Sequence, residues 1–216
     1  MHLNLTCRRV TDDLSDRALC GSTFARAELF GARFAGTDLT GASFFEAVAV
    51  DAVFDRAVLA HARLWGVQFM ATSFRRADCR EASADRAVFH ASDLSGADFR
   101  DADLTSAHFN TCLLAGTDVR GADLSGATEN QSMLEGLIID ESTVLPEEWV
   151  HQLFPDTGAR TRMRQILDAG WDGPIGDLLD LAADPDVLAS IEEHTRPGRR
   201  PTEWVLAIQD HLDHSA

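Results

Sequence analysis

Large apolar residues recur every five positions along the stretch Asp12–Gly126 of this chain. Of the 23 such positions from Leu14 to Leu124, 19 hold Leu or Phe and none holds a charged residue. Two residues before each of them, over Ser22–Ala122, stands a small residue, which is Ala in 14 of 21 cases. The pattern is small-x-large-x-x, and self-similarity at a fixed period indicates a repeat architecture.

This period does not suit an α-helix, but it fits an extended chain that turns a corner in every repeat. At about 100° per residue, a helix places the small and large positions roughly 200° apart. On an extended backbone, residues two apart point to the same side, so both face inward. With a corner of roughly a right angle in each repeat, four repeats make a square coil. Coils stacked about 4.8 Å apart then pair their backbone groups as parallel strands do, and about six levels form a rod of roughly 28 Å.

Several repeats carry a family resemblance. The runs Ala97–Asp101, Ala102–Ser106 and Ala122–Gly126 resemble the A(D/N)LXX unit of pentapeptide-repeat proteins. This resemblance implies an all-β solenoid, a right-handed quadrilateral parallel β-helix. We expect residues 1–145 to form this β-helix with its closing coil, and residues 146–216 to form a small α-helical C-terminal domain.

The two ends of the repeat region depart from the pattern. Asp12 and Arg17 occupy positions that point inward in a full coil, so we expect the first level to be open to water. After Gly126 the pattern decays, and Glu129 takes a central position. Later residues return to register, namely Ser132, Leu134, Leu137 and Ile139. The stretch 136–149 is predicted to be a last partial coil and a segment that closes the end of the rod.

From Pro146 onward, prolines and helix signals replace the five-residue pattern. Helices are expected over 157–169 and 174–183, then after an N-cap at Asp184 followed by Pro185. A last helix is expected to start at Pro201 and to carry Trp204, Val205, Ile208 and Leu212. Short helices of this number make a marginal bundle alone. We therefore expect this region to dock on the rod or to lie at a dimer interface.

Composition limits the classes of function. The net charge of −16 is divided evenly, because residues 1–145 hold 21 acidic residues and 13 Arg, and residues 146–216 hold 14 and 6. Lys is absent. This balance argues against direct nucleic-acid binding and favours a protein partner with a basic surface. The chain lacks an apolar run of membrane-spanning length and an N-terminal secretory pattern, so we expect no membrane association and a cytoplasmic location.

Because faces repeat every 20 residues, the sequence predicts which surface residues stack. An acidic face is predicted to bind the partner, and it comprises Asp38, Asp78, Asp98 and Asp118, continued on the next face by Asp103 and Asp123. Arg80, Arg100 and Arg120 run beside the last three residues of the first column. The column is either an ion-paired ladder exposed to solvent or an anionic track for a basic protein surface.

A second set of outward positions is apolar. It consists of Phe30, Phe45, Val48, Val50, Trp65, Met70 and Val88. A contiguous patch of this kind marks a contact surface. We expect it to be covered by the C-terminal segment or by a second subunit, with a ligand or partner site as the alternative.

No combination of residues typical of a catalytic, cofactor or metal site is found, so the protein is expected not to be an enzyme. His61, His90 and His108 take outward positions without fixed pairing, and His211 and His214 lie near the end of the chain. The four cysteines lack the spacing of a zinc site. Of Cys7, Cys20, Cys79 and Cys112, the last two take inward positions and are expected to be buried thiols that fill space.

Two functions remain open. The resemblance implies a cytoplasmic DNA mimic that binds DNA gyrase or another type II topoisomerase and protects it from quinolones or other poisons, as a homodimer. Duplex DNA carries roughly 16 charges over a 28 Å length, about twice the −8 of residues 1–145. The alternative is a scaffold for protein–protein interactions with an unrelated partner.

Overall fold

The protein forms a β-solenoid that ends in a small group of helices. The computed structural model describes residues 2–154, 157–168 and 170–183. One face of the solenoid, called the sheet face below, is a six-stranded parallel sheet in sequence order. Its strands are β1 (Glu28–Phe30), β2 (Val48–Val50), β3 (Gln68–Met70), β4 (Val88–His90), β5 (His108–Asn110) and β6 (Thr128–Asn130).

Each strand pairs with the strand 20 residues later, so one coil contains four repeats. Leu29 lies beside Ala49, and Phe69 lies beside Phe89. The second, third and fourth faces follow the sheet face in chain order and pair through single bridges, for example Arg33 with Val53 on the second face. The predicted coil of four repeats is therefore confirmed, and six strands enclose five full turns.

Backbone hydrogen bonds connect each level to the next. The amide of Phe54 donates to the carbonyl of Ser73 at 2.7 Å, and the amide of Arg56 donates to the carbonyl of Arg75 at 2.9 Å. Within the level, the amide of Ala57 donates to the carbonyl of Phe54 at 3.0 Å and closes the corner. Neighbouring levels therefore supply the partners that an isolated extended repeat lacks.

The corner residue, two positions after each large residue, has a left-handed backbone with φ between 51° and 71°. Glycine adopts this conformation at no steric cost, and it fills nine of the corners. Many other corners hold residues with a Cβ, such as Arg56 at φ 56° and Glu81 at φ 56°. Such a residue costs about 1–2 kcal/mol in this conformation, so the stacked levels must compensate for that cost.

The inward residues fill the rod completely. Phe54, Phe74 and Leu94 are each at most 1% exposed and lie one above another on the second face. The rings of Phe54 and Phe74 stack at 4.8 Å, and an edge of Phe69 meets Phe74 at 4.8 Å. Small residues occupy the space between the rings, and the buried hydroxyl of Thr37 donates to the carbonyl of Leu14 at 2.7 Å. The solenoid is thus a packed core without a channel.

The first level is more open than the levels that follow, as predicted. Asp12 and Arg17 are exposed to solvent, whereas Leu14 is 7% exposed. Leu3 and Leu5 are partly buried against the core. The N-terminal residues therefore cover the top of the rod only in part.

The last coil changes its geometry before it closes. Glu129 in β6 is half-buried, and residues Leu134–Gly136 form a short 3-10 helix. A Cβ on Gly136 would lie 2.8 Å from the Cα of Ala115, so only glycine fits against the coil below. Strand β7 (Ile138–Asp140) follows, with Ile139 1% exposed.

The C-terminal region contains more structure than the sequence pattern predicted. The expected helices at 157–169 and 174–183 are confirmed as α2 (Thr157–Asp168) and α3 (Ile175–Ala183). Helix α1 (Glu147–Leu153) and strand β8 (Asp172–Pro174) were not predicted. The helices expected after Asp184 and from Pro201 lie outside the described residues.

These C-terminal elements pack on the end of the rod. Strand β8 pairs antiparallel with β7, and the amide of Ile175 donates to the carbonyl of Leu137 at 2.8 Å. Trp149 of α1 meets the ring of Phe109 edge-on at 6.1 Å. They shield inward side chains and one backbone edge of the last coil, while the division of the chain into two domains stays a prediction.

Across the described ranges, no helix is long and apolar enough to span a membrane.

Replacing Phe54 with Ala tests the packing of the core. Phe54 contacts rings in its own level and in both neighbouring levels. We expect Phe54→Ala to lower the free energy of unfolding by about 3–5 kcal/mol, and Phe54→Leu to lower it by about 1 kcal/mol. Urea denaturation followed by circular dichroism measures both. A loss below about 1 kcal/mol for Phe54→Ala would contradict a close-packed interior.

Candidate partner-binding surfaces

The structure brings the predicted acidic column together on the third face. Asp78, Asp98 and Asp118 lie side by side in successive levels. Asp38 belongs to the same column, but Val58 separates it from Asp78. The predicted stacking of acidic residues is therefore continuous over the three levels of Asp78, Asp98 and Asp118, and it is interrupted at Val58 on the N-terminal side.

All six predicted acidic residues have a structural role in the turns. Each accepts a hydrogen bond from the backbone amide two residues later, as Asp98 does from Arg100 at 3.1 Å and Asp123 from Ser125 at 2.8 Å. The same bond is formed by Asp38, Asp78, Asp103 and Asp118. A short carboxylate is suited to this bond because it reaches its own backbone two residues on. The carboxylates would therefore be present even without a partner.

Arginines neutralise the continuous part of the column. Arg80 bonds to Asp78 at 2.7 Å and approaches Asp98 at 3.7 Å. Arg100 repeats this arrangement with Asp98 at 2.7 Å and Asp118 at 3.7 Å. We call this set, Asp78, Arg80, Asp98, Arg100, Asp118 and Arg120, the ion-pair ladder. Its three carboxylates and three guanidinium groups balance in charge.

The ladder extends to the C-terminal region. Arg120 bonds to Asp118 at 2.7 Å and to Asp172 of β8 at 3.4 Å. The side-chain hydrogen bond from Arg80 lowers the pKa of Asp78, although burial acts in the opposite direction. Because its pKa is lowered, the carboxylate of Asp78 stays charged to a lower pH than an isolated aspartate.

Asp38 has different partners. The thiol of Cys20 donates to one of its oxygens at 3.0 Å, and the hydroxyl of Thr40 donates to the other at 2.7 Å. These two bonds lower the pKa of Asp38, and the same contact with Asp38 raises the pKa of the Cys20 thiol. Cys20 is exposed, but its thiol is held in the protonated, less nucleophilic form.

Three carboxylates without ion pairs lie at the corner between the third and fourth faces and beside it on the fourth face. Asp103 and Asp123 are neighbours in successive levels of the fourth face, and both are exposed. Asp101, also exposed, lies at the corner just before Asp103. Among the described residues, no Arg or His lies within ion-pairing distance of these three. We call Asp101, Asp103 and Asp123 the acidic edge.

Asp101 was missed in the sequence analysis because the predicted acidic face contains only residues that stand directly before an inward large residue, whereas Asp101 occupies a corner. A signal was nevertheless present. The corner one level later is Gly121, which has no side chain to offer a positive charge. By contrast, the corner Glu81 has His61 one level before it, at 3.3 Å.

The predicted apolar residues do form one surface. Phe30, Val50 and Met70 stack on the sheet face, and Val48 is separated from Val88 by Gln68 in the adjoining column. Phe45 and Trp65 stack around the corner on the fourth face, with ring centroids 5.0 Å apart. Phe30 is 36% exposed and Met70 is 40% exposed, while the others are half-buried. We call these seven residues the apolar patch.

The described C-terminal elements do not lie on this patch. They contact the last coil, whereas the patch occupies strands β1 to β4 near the other end. The expectation that the C-terminal segment covers the patch therefore concerns the residues after Ala183, which lie outside the described residues.

The described thiols and histidines are not arranged as a metal site. Cys79 and Cys112 are buried as expected, and burial raises the pKa of both thiols. Cys7 is exposed. His108 contacts the hydroxyl of Thr128 at 2.6 Å. Within the part of the chain that the structure describes, no group of three or more His, Cys, Asp or Glu residues is arranged to hold a metal ion.

Comparison with known proteins agrees with this architecture. The family model for pentapeptide repeats matches in eight copies, over residues 13–44, 39–76, 52–90, 72–110 and 92–128. These matches together span more than half of the chain. No curated protein shows a significant match.

Several solved structures are similar. A pentapeptide repeat protein of the Arabidopsis thaliana thylakoid lumen is 29% identical, with 46% of this chain and 67% of that chain covered and a TM-score of 0.41. The plasmid-mediated fluoroquinolone resistance protein QnrB1, in a trypsin-treated form, is 17% identical over 68% of this chain and 84% of that chain, with a TM-score of 0.35. HetL, involved in heterocyst differentiation regulation in the cyanobacterium Nostoc, is 21% identical over 66% and 89%, with a TM-score of 0.26.

The pKa of Asp78 tests the ion-pair ladder. We expect the pKa of Asp78 to lie below its ordinary value of 3.8 and to rise in Arg80→Gln, because the hydrogen bond from Arg80 lowers it. A lowered pKa contributes stability above the unfolded value, and this contribution is lost as the pH falls through the folded value. Titration by carboxylate NMR measures the shift, with Arg63→Gln as the control. An Asp78 pKa that is the same in wild type and Arg80→Gln would contradict the ladder.

Proposed function

Because the chain belongs to the pentapeptide repeat family, we propose that it acts without catalysis, by binding a partner protein that has a basic groove. The specific partner proposed is DNA gyrase or a related type II topoisomerase. Such an enzyme holds DNA in a basic groove, and occupation of that groove by this protein modulates the enzyme or protects it from topoisomerase poisons. The protein then contributes to antibiotic resistance or self-resistance.

The observation that supports this proposal is the acidic edge. Its three carboxylates are exposed and lack ion-pair partners within the described residues. Asp103 and Asp123 pair in adjacent levels, and each carboxylate accepts a backbone hydrogen bond, so two like charges are placed side by side. A positively charged groove would relieve that repulsion and would gain from electrostatic steering.

The resemblance to DNA is proposed to be local. The repeat region carries −8 against roughly 16 charges on a DNA segment of the same length, and the ion-pair ladder contributes no net charge. Imitation of duplex DNA over the whole surface is therefore not required by the proposal. The acidic edge contacts the groove, and the neighbouring ladder is a neutral border.

A scaffold with an unrelated partner is the second candidate. Two observations favour it, namely the neutral ion-pair ladder and the composition of the apolar patch. Half-buried Trp65 and Phe45 and exposed Met70 are residue types that are enriched in protein interfaces. The homodimer expected from the sequence stays a prediction in either case.

A gyrase supercoiling assay with and without a fluoroquinolone tests the first proposal. The test variant carries Asp101→Asn, Asp103→Asn and Asp123→Asn. Asparagine removes the charge but keeps the oxygen that accepts the backbone hydrogen bonds of Thr105 and Ser125. We expect the wild type to change gyrase activity or to protect it, and the variant to need roughly tenfold more protein for the same effect.

The control variant carries Asp12→Asn, Asp16→Asn and Asp51→Asn, which removes the same charge from exposed positions elsewhere. It is expected to act like the wild type. If the wild type neither binds gyrase nor alters supercoiling or drug sensitivity, the gyrase proposal is wrong and the scaffold remains. An equal loss in both variants would show an effect of net charge and would exclude the acidic edge as a specific contact.

A further inference from the structure

The sheet face differs from the rest of this acidic chain because it carries almost no charge. The outward residues of the strands β1 to β6, two in each strand, include one carboxylate, Glu28, and no Arg. Arg9 pairs with Glu28 at 3.0 Å and neutralises it. Charged residues are depleted in the same way at the centre of protein interfaces. The sheet face is therefore suited to lie against another protein.

The sheet face also changes in chemistry along the rod. Strands β1 to β4 carry most of the apolar patch, whereas the outward residues of β5 and β6 are His108, Asn110, Thr128 and Asn130. These four side chains can donate or accept hydrogen bonds. An occupant that matches the whole face is therefore apolar opposite β1 to β4 and polar without charge opposite β5 and β6.

The corner that precedes the strands forms a raised edge of the sheet face. Arg26 and Arg86 extend from this corner, and their guanidinium groups lie 5.6 Å from the ring centroid of Phe45 and 5.9 Å from that of Trp65. Glu46 extends from the same corner and bonds to Arg26 at 2.8 Å. Arg26, Glu46 and Arg86, which we call the raised edge, thus line this side of the face with long side chains.

The corner that follows the strands is low by comparison. Its residues at the levels of β1 to β4 are Gly31, Asp51, Ala71 and Ala91. A Cβ on Gly31 would have no atom within 4 Å, so the space above this corner is open. We call these four residues the low edge. The sheet face is therefore bounded by long side chains on one side and by short ones on the other.

A second copy, turned by 180° about an axis parallel to the rod, matches both the edges and the chemistry of this face. The rotation places the raised edge of each copy beside the low edge of the other, as a two-fold interface requires. Both rods keep the same direction, so Val50 lies opposite Val48 of the second copy, and Asn110 lies opposite His108. In an antiparallel pair, two raised edges would meet and would hold the faces apart.

The negative charge of the chain does not oppose this contact. The acidic edge lies at the corner between the third and fourth faces, and the third face lies opposite the sheet face in a coil of four sides. The acidic edges of two joined copies are then separated by about two rod widths, or roughly 30 Å. This distance exceeds the screening length of about 8 Å at physiological ionic strength. Both acidic edges remain open on the outer sides of the pair.

We propose that the sheet face is a homodimer interface in which two copies lie side by side about a two-fold axis parallel to the rod. The face measures about 28 Å by about 16 Å, or roughly 450 Å² for each copy. Stable complexes bury about 800 Å² on each partner, so this dimer is weak and depends on concentration. The contact does not depend on which partner the acidic edge binds.

Sedimentation velocity of the full-length protein, from about 1 μM to about 500 μM, tests the proposal. We expect monomers at the lowest concentration and dimers at the highest. Ala91 on the low edge lies beside Arg86 of the second copy. Ala91→Arg is therefore expected to weaken the dimer about tenfold or more, and Ala91→Glu to strengthen it about threefold. Other corners of the rod already hold Arg and Glu, such as Arg56 and Glu81, so the fold accepts both variants.

His61→Arg is the matched control. It places the same side chain at an exposed corner that does not border the sheet face. We expect its dimer dissociation constant to equal that of the wild type. Circular dichroism of all three variants shows whether the solenoid is still folded.

Oxidation of Met70 by hydrogen peroxide shows whether the sheet face is the surface that becomes covered. Met70 is 40% exposed and Met133, which lies outside the six strands, is 72% exposed. At the lowest concentration we expect the Met70 rate to lie within about twofold of the Met133 rate. At the highest concentration we expect it to fall about fivefold or more relative to Met133, as measured by mass spectrometry at low conversion.

Three results would overturn the proposal. The first is a protein that stays monomeric at every concentration. The second is a dimer whose strength neither Ala91→Arg nor Ala91→Glu changes, because such a dimer uses another surface. The third is a Met70 rate that is equally slow at both concentrations, because the face is then covered within a single chain.

Discussion

The structure depends on the hydrogen bonds that join each level of the solenoid to the level 20 residues later. An extended backbone with a corner in every repeat satisfies few of its own polar groups, so a single coil is not a stable unit. Stacking supplies those partners and aligns side chains of equivalent repeats, as Phe54 with Phe74. The same alignment compensates for left-handed corners at residues with a Cβ, such as Arg56 and Glu81.

Stacking also governs the surface, because any outward residue lies beside those 20 positions before and after it. The carboxylates of the third face are explained first by the turns, where they bind backbone amides, and by the arginines that alternate with them in the ladder. At Asp101, Asp103 and Asp123 no arginine follows, and a local excess of negative charge remains. Whether an acidic residue can attract a partner thus depends mainly on whether the residue one level away neutralises it. The total number of acidic residues in the chain matters much less.

The solenoid could be predicted from the sequence because each five-residue repeat forms one side of a coil. Phe34, Phe54 and Phe74 all point inward because they keep this five-residue register. The stacked columns followed from the same register. The sequence-based prediction is incomplete where residues leave that register. Helix α1 has seven residues, too few for a helical period to be recognised. Strand β8 (Asp172–Pro174) has three residues, and it is defined by its pairing with β7, which a local sequence pattern does not reveal. Asp101 could be found only by asking which charges have a partner in the next level.

In-frame removal of one coil tests whether stacking in register holds the solenoid together. Deletion of residues 63–82 joins Ala62 to Ser83 and keeps every later residue on its face, whereas deletion of residues 63–80 shifts the later repeats by two positions. We expect the 20-residue deletion to unfold cooperatively in urea, with a smaller m value because less surface is exposed, and the 18-residue deletion not to unfold cooperatively. Equal stability of the two deletions would contradict this expectation.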